Sequence, residues 1–313
     1  MASTPSHPAI RIGPAGWSYP DWRGIVYPKR KLRGFHELEY LAQFFDAVEI
    51  NTSFYNSPRP NVVKEWLLHV EHNEDFQFTA KLWQRFTHER NAAPDDEHVF
   101  KQGIAPLAEA GRLGALLLQF PWSFKNDPNN RQYLAKLCTQ FREYPLVVEV
   151  RHSSWNQPEI LEMLCELGAG FCNIDQPVIG RSIKPSQHVT ALIGYVRLHG
   201  RNYKEWFSSN HNPVERYNYL YSLEELEPWI ERTKAIAKNS KVTFVITTNH
   251  FRGKGVVNAL QLIALVTARL VEVPEELLAH YPELAEVAIL HQTTSAVQTT
   301  FPFEAAALKR RPH

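Results

Sequence analysis

The sequence predicts an α/β fold, a (β/α)8 barrel of the TIM type built as a single domain. Three observations lead there. Eight short apolar segments with strand character alternate with stretches of helical period, which implies parallel strands joined by crossovers. No Gly-rich GxGxxG turn is present to favour an open dinucleotide-binding sheet. Charged and amide residues recur where the strands end, as they do at the mouth of a barrel that carries a polar site.

Strands are expected at 10–15, 47–51, 76–81, 115–119, 146–151, 170–175, 194–199 and 242–249. Helical periods fall between them at 34–45, 60–70, 95–110, 129–141, 158–167 and 223–238, with a last one at 255–270. Pro60 and Pro158 suit a first helical turn, where no amide donor is needed, and Ser222 with Glu225 forms a capping-box pattern. Gly111 and Gly168 follow apolar periods and close helices. The connection at 176–190 holds Pro177, Gly180 and Pro185 and little helical period, so an irregular connection is expected after strand six. The aromatic, polar stretch at 201–221 reads as a flap over the barrel mouth. Residues 1–9 are expected to be a disordered N-terminus, 10–270 the barrel domain, and 271–313 a C-terminal helical extension with a frayed end.

Lys and Arg total 34 against 33 Asp and Glu, a net charge of +1. That balance argues against a nucleic-acid binder relying on a general positive field, and favours a small-molecule ligand. Three cysteines, Cys138, Cys165 and Cys172, lack CxxC spacing, and their odd count fits reduced thiols in a cytoplasmic protein. The start of the chain has no signal-peptide pattern, and the apolar run at 256–270 is amphipathic and too short for a bilayer, so no membrane role is expected.

The strand-end set comprises Glu49 and Asn51, Lys81, Gln119, Glu149 and Arg151, Asp175, Arg197 and His199, and Asn249. Burying such groups without partners is costly, so they are expected to converge on one another or on a ligand. Side chains two apart on a strand share a face, which pairs Glu49 with Asn51, Glu149 with Arg151, and Arg197 with His199. Glu49, Glu149 and Asp175 are candidate general bases or acids, and Lys81 and His199 candidate proton carriers. Arg151, Arg197 and Arg201 are suited to holding an anionic group. Glu, Asp and His on separate strands are also what a divalent site needs, but no HxH, HExxH or DxD pattern occurs and the neighbouring cations oppose a metal, so neither metal nor cofactor is expected. A bland reading, ion pairs that merely close the barrel, competes for the whole set.

Aromatic residues follow several strand ends: Trp17, Tyr19 and Trp22, Phe54 and Tyr55, Trp83, Trp122 and Trp155, with Tyr203, Trp206, Tyr217 and Tyr219 in the flap. Most such residues pack cores; one or two facing the cavity suffice for a stacking wall.

The stretches GPAGWSYPDWRGIVY (13–27), VEINTSFY (48–55), FTAKLWQRFTH (78–88), LLLQFPWSF (116–124), VVEVRHSSW (147–155), YVRLHGR (195–201) and YNYLYSLEELEPW (217–229) resemble the DUF72, or YecE-like, family. The resemblance spans about 10–260 and implies a TIM-type barrel. It implies less about chemistry, since the family's activity is not established and its description as sugar-isomerase-related rests on fold similarity. The motif positions carried over are Trp17, Glu49, Asn51, Tyr55, Lys81, Gln119, Pro121, Glu149, Arg151, Trp155, Arg197, His199, Gly200, Arg201, Tyr217, Tyr219 and Asn249. Pro14 and Ala15 depart from the shorter, more polar run expected before the Gly-Trp pair.

The resulting expectation is a barrel enzyme acting on a small polyhydroxylated compound, anionic ones included, by metal-independent acid–base isomerisation, epimerisation or hydrolysis. The alternatives are a barrel that binds a metabolite or nucleic-acid end without turnover, and a divalent-metal-dependent isomerase or phosphoesterase.

Overall fold

The computed structural model describes residues 9–30, 33–206 and 215–290. In chain order its elements are β1 (Ala9–Pro14), α1 (Glu37–Leu41), β2 (Ala47–Ile50), α2 (Thr52–Tyr55), α3 (Pro60–His69), β3 (Gln77–Lys81), α4 (Gln84–Thr87), α5 (Asp96–Glu109), β4 (Leu113–Gln119), α6 (Pro128–Gln140), β5 (Leu146–Glu149), α7 (Pro158–Glu166), β6 (Gly170–Asp175), β7 (Ile193–Leu198), α8 (Leu223–Ala237), β8 (Val242–Thr247), α9 (Lys254–Thr267), β9 (Val271–Val273), α10 (Glu275–His280) and β10 (Ala288–Leu290).

The first eight strands pair in parallel in the order β1, β8, β7, β6, β5, β4, β3, β2. The ring closes between β1 and β2, where Ala15 bridges Glu49 and the Gly16 amide donates to the Glu49 carbonyl at 2.8 Å. This closure requires Gly13, because a Cβ there would stand 1.7 Å from the Ala47 carbonyl oxygen. The (β/α)8 expectation is therefore met, and every strand of the barrel except β6 differs from its expected span by one or two residues at its ends.

Local signals act as their chemistry dictates. Pro60 and Pro158 open α3 and α7, the Ser222 and Glu225 capping box starts α8, and Asp127 caps α6 by accepting from the Asn130 amide. The helices bury apolar faces against the outside of the barrel, with Phe100, Leu134, Leu164, Trp229 and Leu260 among the enclosed side chains. Inside the barrel the lower layers are apolar and the upper ones polar: Tyr195, Arg197 and His199 alternate with Val196 and Leu198 along β7 and its exit, and all five are buried.

Several expectations change. The first helix is short: α1 spans only five residues, after Gly34 in a left-handed conformation and before turns at Ala42–Phe45 that feed β2. No helix lies between β6 and β7, as the prolines and glycine there required. Ala9 is the first residue of β1 rather than part of the terminal tail, and residues 1–8 lie outside the described residues. The extension is not purely helical: β9 and β10 pair in parallel around α10, and 291–313 lies outside the described residues. Three-residue strands carry no periodicity to read. Of the flap, 207–214 lies outside the described residues; Trp206 on its near side is buried and Tyr217 on its far side reaches the barrel mouth. Among the described residues no helix is long and apolar enough to cross a membrane.

Candidate functional site

At the carboxyl ends of the strands a cavity of about 400 Å³ opens. Lys81, Gln119, Arg151, Arg197 and His199 line its polar side, and Trp17, Tyr19, Tyr55, Trp66, Tyr217 and His250 line its ring-bearing side. Trp17 meets Trp66 edge to face at 5.2 Å, and Tyr19 stacks on His250 at 4.4 Å. Asn51, also in the lining, donates from Nδ2 to the Tyr19 hydroxyl at 3.0 Å, and that hydroxyl donates to the Ala15 carbonyl at 2.8 Å.

Beneath the cavity Arg197 is the hub. Its Nη2 donates to Glu49 Oε1 at 2.7 Å, and its Nη1 donates to Gln119 Oε1 at 3.0 Å and to Glu149 Oε2. Arg151 donates to Glu149 Oε1 from Nε at 2.9 Å and from Nη2 at 2.8 Å. Glu49 Oε2 lies 3.2 Å from the Tyr195 hydroxyl, which is 2.8 Å from Thr79 Oγ1. Burial works against charge on Glu149, yet Arg197 and Arg151 hold its carboxyl well below the usual carboxylate range. Burial likewise opposes charge on Arg197, but Glu149 and Glu49 keep its pKa well above that of a free guanidinium.

His199 sits 3.3 Å from Glu149 Oε1 through Nε2 and 2.8 Å from Thr248 Oγ1 through Nδ1. Burial lowers its pKa to about 3 despite the neighbouring carboxylate. Both ring nitrogens are engaged, Nε2 by Glu149 and Nδ1 by the Thr248 hydroxyl, which itself donates to the Leu198 carbonyl at 3.1 Å. His250 is also held neutral by burial, at about 4, and its Nδ1 has no hydrogen-bond partner among the described residues.

Lys81 differs from the rest. Ser53 Oγ donates to its carbonyl at 2.8 Å and accepts from its amide at 3.0 Å, which pins the end of β3. Its Nζ stands 4.3 Å above the Phe54 ring and forms no hydrogen bond or ion pair among the described residues. Burial and then Arg197 lower its pKa to about 8, against the opposing pull of Glu49 and Glu149.

The expected site residues thus divide. Lys81, Gln119, Arg151, Arg197, His199, Trp17, Asn51, Tyr55 and Tyr217 line the cavity. Glu49 and Glu149 lie immediately below, fully buried in the ion network and outside the lining. Their oxygens are already occupied by Arg197, Arg151, His199 and Tyr195. Asp175 and Asn249 are not in the cavity. Asp175 accepts from Arg201 Nε at 2.9 Å, and burial raises its pKa against the pull of Arg201. Asn249 donates to the Tyr219 carbonyl and to Asn258 on α9, both at 2.8 Å. Arg201 continues to Glu225 at 3.2 Å, where the Tyr219 hydroxyl donates at 2.6 Å, so Asp175, Arg201, Tyr219 and Glu225 tie the described ends of the flap to β6 and α8. Trp155 is core: fully buried, it stacks on Phe124 and donates to its carbonyl at 2.7 Å.

Strand parity explains the placement of Asp175 and Asn249. On β6 and β8 the inward residues run Cys172, Ile174 and Phe244, Ile246, because they sit level with Tyr195 and Arg197 of β7. Asp175 and Asn249 are one step out of that phase. The same alternation points to Thr248 and His250, which line the cavity and were absent from the expected set. Trp66 was missed for a different reason: it lies on α3, where an aromatic residue reads as packing.

Fold and cavity define a class: a closed parallel barrel whose strand ends carry a cationic, aromatic-walled pocket. The chain belongs to the family described as "Protein of unknown function DUF72", whose model matches residues 11–282. It is 33% identical over 147 residues to the UPF0759 protein YecE of Escherichia coli (strain K12), a match covering 46% of this chain and 48% of that protein, so the chain matches about half the length of this curated relative. Among solved structures it resembles a DUF72 family protein from Thermotoga maritima MSB8, with TM-score 0.73 and 33% identity over 83% of this chain and 99% of that one. A DUF72 family protein from Enterococcus faecalis V583 gives TM-score 0.73 at 27% identity, covering 82% of this chain and 95% of that one.

Proposed function

We propose that the protein is a small-molecule enzyme acting on a polyhydroxylated, anionic compound by metal-independent acid–base chemistry, with Lys81 as the proton carrier. The observation that carries this reading is the Lys81 ammonium, which faces a cavity of about 400 Å³ with no counter-ion among the described residues. Its pKa of about 8 lies near working pH, where a group both holds and releases a proton efficiently. Counting Arg151, Arg197 and Lys81 against Glu49 and Glu149, the site holds three cations and two carboxylates, an excess that attracts an anion and repels a divalent cation. Among the described residues no group of three His, Cys, Asp or Glu is placed to hold a metal. Trp17 and Trp66 offer the apolar face on which a sugar-like ring packs. The three unbridged cysteines accord with a reducing, cytoplasmic setting.

The test is solvent-exchange NMR. Sugar acids and sugar phosphates are incubated with the protein in D2O, and deuterium at a carbon-bound position is followed. Exchange with at least one compound, reduced about a hundredfold or more by Lys81→Met, supports the reading. Exchange that survives the substitution unchanged removes Lys81 from the role. A second reading, capture without turnover, draws support from the complete engagement of Glu49, Glu149 and His199; tight binding of a compound that never exchanges or changes would favour it.

A further inference from the structure

We propose that Lys81 is also a covalent centre, whose Nζ condenses with the carbonyl carbon of a small anionic aldehyde or ketone to form an imine. The inference rests on the reading that the cavity takes a small anionic compound, and it narrows that compound to one bearing a carbonyl group.

Three features converge on this chemistry. An amine attacks only when neutral, and enzymes obtain a neutral lysine by stripping water from it or placing it beside another cation. Lys81 has both: its side chain is buried, and Arg151 and Arg197 share the cavity lining with it. The charged groups acting on it are Arg197, Glu49, Glu149 and Arg151, and among them the carboxylates are already spent on the two guanidiniums. With its pKa at about 8, roughly a tenth of Lys81 is neutral at pH 7, about three hundredfold more than for an ordinary lysine.

The second feature is rigidity. Ser53 bonds both backbone groups of Lys81, so the nucleophile stands on a strand end that is fixed by hydrogen bonds. The third is an unmet donor. Arg197 is almost wholly buried, yet its Nε–H has no acceptor among the described residues. A buried donor left open calls for an oxygen acceptor.

The step balances without an oxidant or reductant. The neutral amine forms a C–N bond as the carbonyl π pair moves to oxygen. A proton passes from nitrogen to that oxygen to give a carbinolamine, and loss of the hydroxyl with one further proton, as water, leaves the C=N bond. Protonated, that imine withdraws electrons from the adjacent carbon and makes its C–H bond more acidic.

The experiment uses pyridoxal 5′-phosphate as the anionic aldehyde probe, with borohydride trapping at pH 7 and peptide mapping by mass spectrometry. The expected result is a reduced adduct on Lys81 formed at least about tenfold faster than on the other lysines, as its neutral fraction requires, and slowed by inorganic phosphate. Lys81→Arg is expected to remove that adduct while leaving slow surface labelling in place. An unlabelled Lys81 in the wild-type protein overturns the inference. Pyridoxine 5′-phosphate, which has an alcohol in place of the aldehyde, separates the two failures. If it raises the melting temperature while Lys81 stays unlabelled, the imine falls and the acid–base reading stands. If neither compound shifts the melting temperature and Lys81 stays unlabelled, both fall.

Discussion

Arg197 Nη2 and Glu49 Oε1 lie 2.7 Å apart although 148 positions separate the two residues in the chain. The pair spans the barrel from β7 to β2, and with Glu149 on β5 it ties three strands together beneath the cavity.

Removing the hub leaves buried Glu49 without a counter-charge and Glu149 with Arg151 alone. Arg197→Met is expected to cost about 3–5 kcal/mol, read as a lowered denaturant midpoint. Adding Glu49→Gln and Glu149→Gln should restore part of that loss, because the expense lies in the orphaned charges. A triple variant no more stable than the single one would show that packing, not charge, sets the cost.

His199 contributes a pH dependence of known sign. Its folded pKa is about 3 and its unfolded value 6.5, so between these limits the unfolded chain binds more protons. Stability is therefore expected to be undiminished above pH 6.5 and to decline as pH falls toward 3. His88 and His250, each lowered to about 4 by burial, act in the same direction. Melting temperatures measured across this range should fall less steeply in His199→Gln.

Lys81 carries the opposite trade. The unfolded chain keeps its proton up to 10.5 and the folded one releases it near 8, so stability rises from pH 8 to 10.5 and the penalty is fully present below pH 8. Lys81→Met is expected to stabilise the protein at pH 7 by on the order of 1 kcal/mol while abolishing ligand chemistry. A fall in melting temperature would show that the ammonium has a stabilising partner.

Barrel closure depends on an absent side chain. Gly13→Ala places a methyl group 1.7 Å from the Ala47 carbonyl oxygen, a backbone atom that cannot swing aside. The expected cost is at least about 3 kcal/mol, the top of the usual range for overpacking. Circular dichroism during urea unfolding measures it, and a midpoint unchanged from wild type would contradict the register of β1 against β2.

Asp175→Asn tests the placement of a residue that the sequence put among the catalytic candidates. Asp175 pairs with Arg201 outside the cavity, so ligand affinity is expected to stay within about twofold while the flap becomes more open to limited proteolysis. A loss of affinity comparable to that of Arg151→Ala would return Asp175 to the site.

The division of labour can be seen residue by residue. Alternating apolar runs and helical periods made the eight strands legible, and Pro60, Pro158 and the Ser222 capping box marked helix starts that the structure keeps. Strand-end polarity singled out Lys81, Gln119, Arg151, Arg197 and His199, all of which line the cavity. It also singled out Asp175 and Asn249, because polarity at a strand end does not say which face a side chain takes. Parity does, but only once β6 and β8 are in register with β7. Trp66 carried no signal, since its helix reaches the mouth only through the way α3 packs.

By itself the sequence determined the barrel and the inventory of charged groups for its mouth, because strand period, helix period and capping are local properties written within a few residues. Only the tertiary structure decided which acids and bases remain chemically free. Proximity across the barrel cancels Glu49 and Glu149 against Arg197 and Arg151, neutralises His199 by burial, and leaves Lys81 facing the cavity with the Phe54 ring beneath it and no hydrogen-bond or ion-pair partner among the described residues. Electrostatic pairing depends on distance through space, and the distances here join residues up to 148 positions apart in the chain.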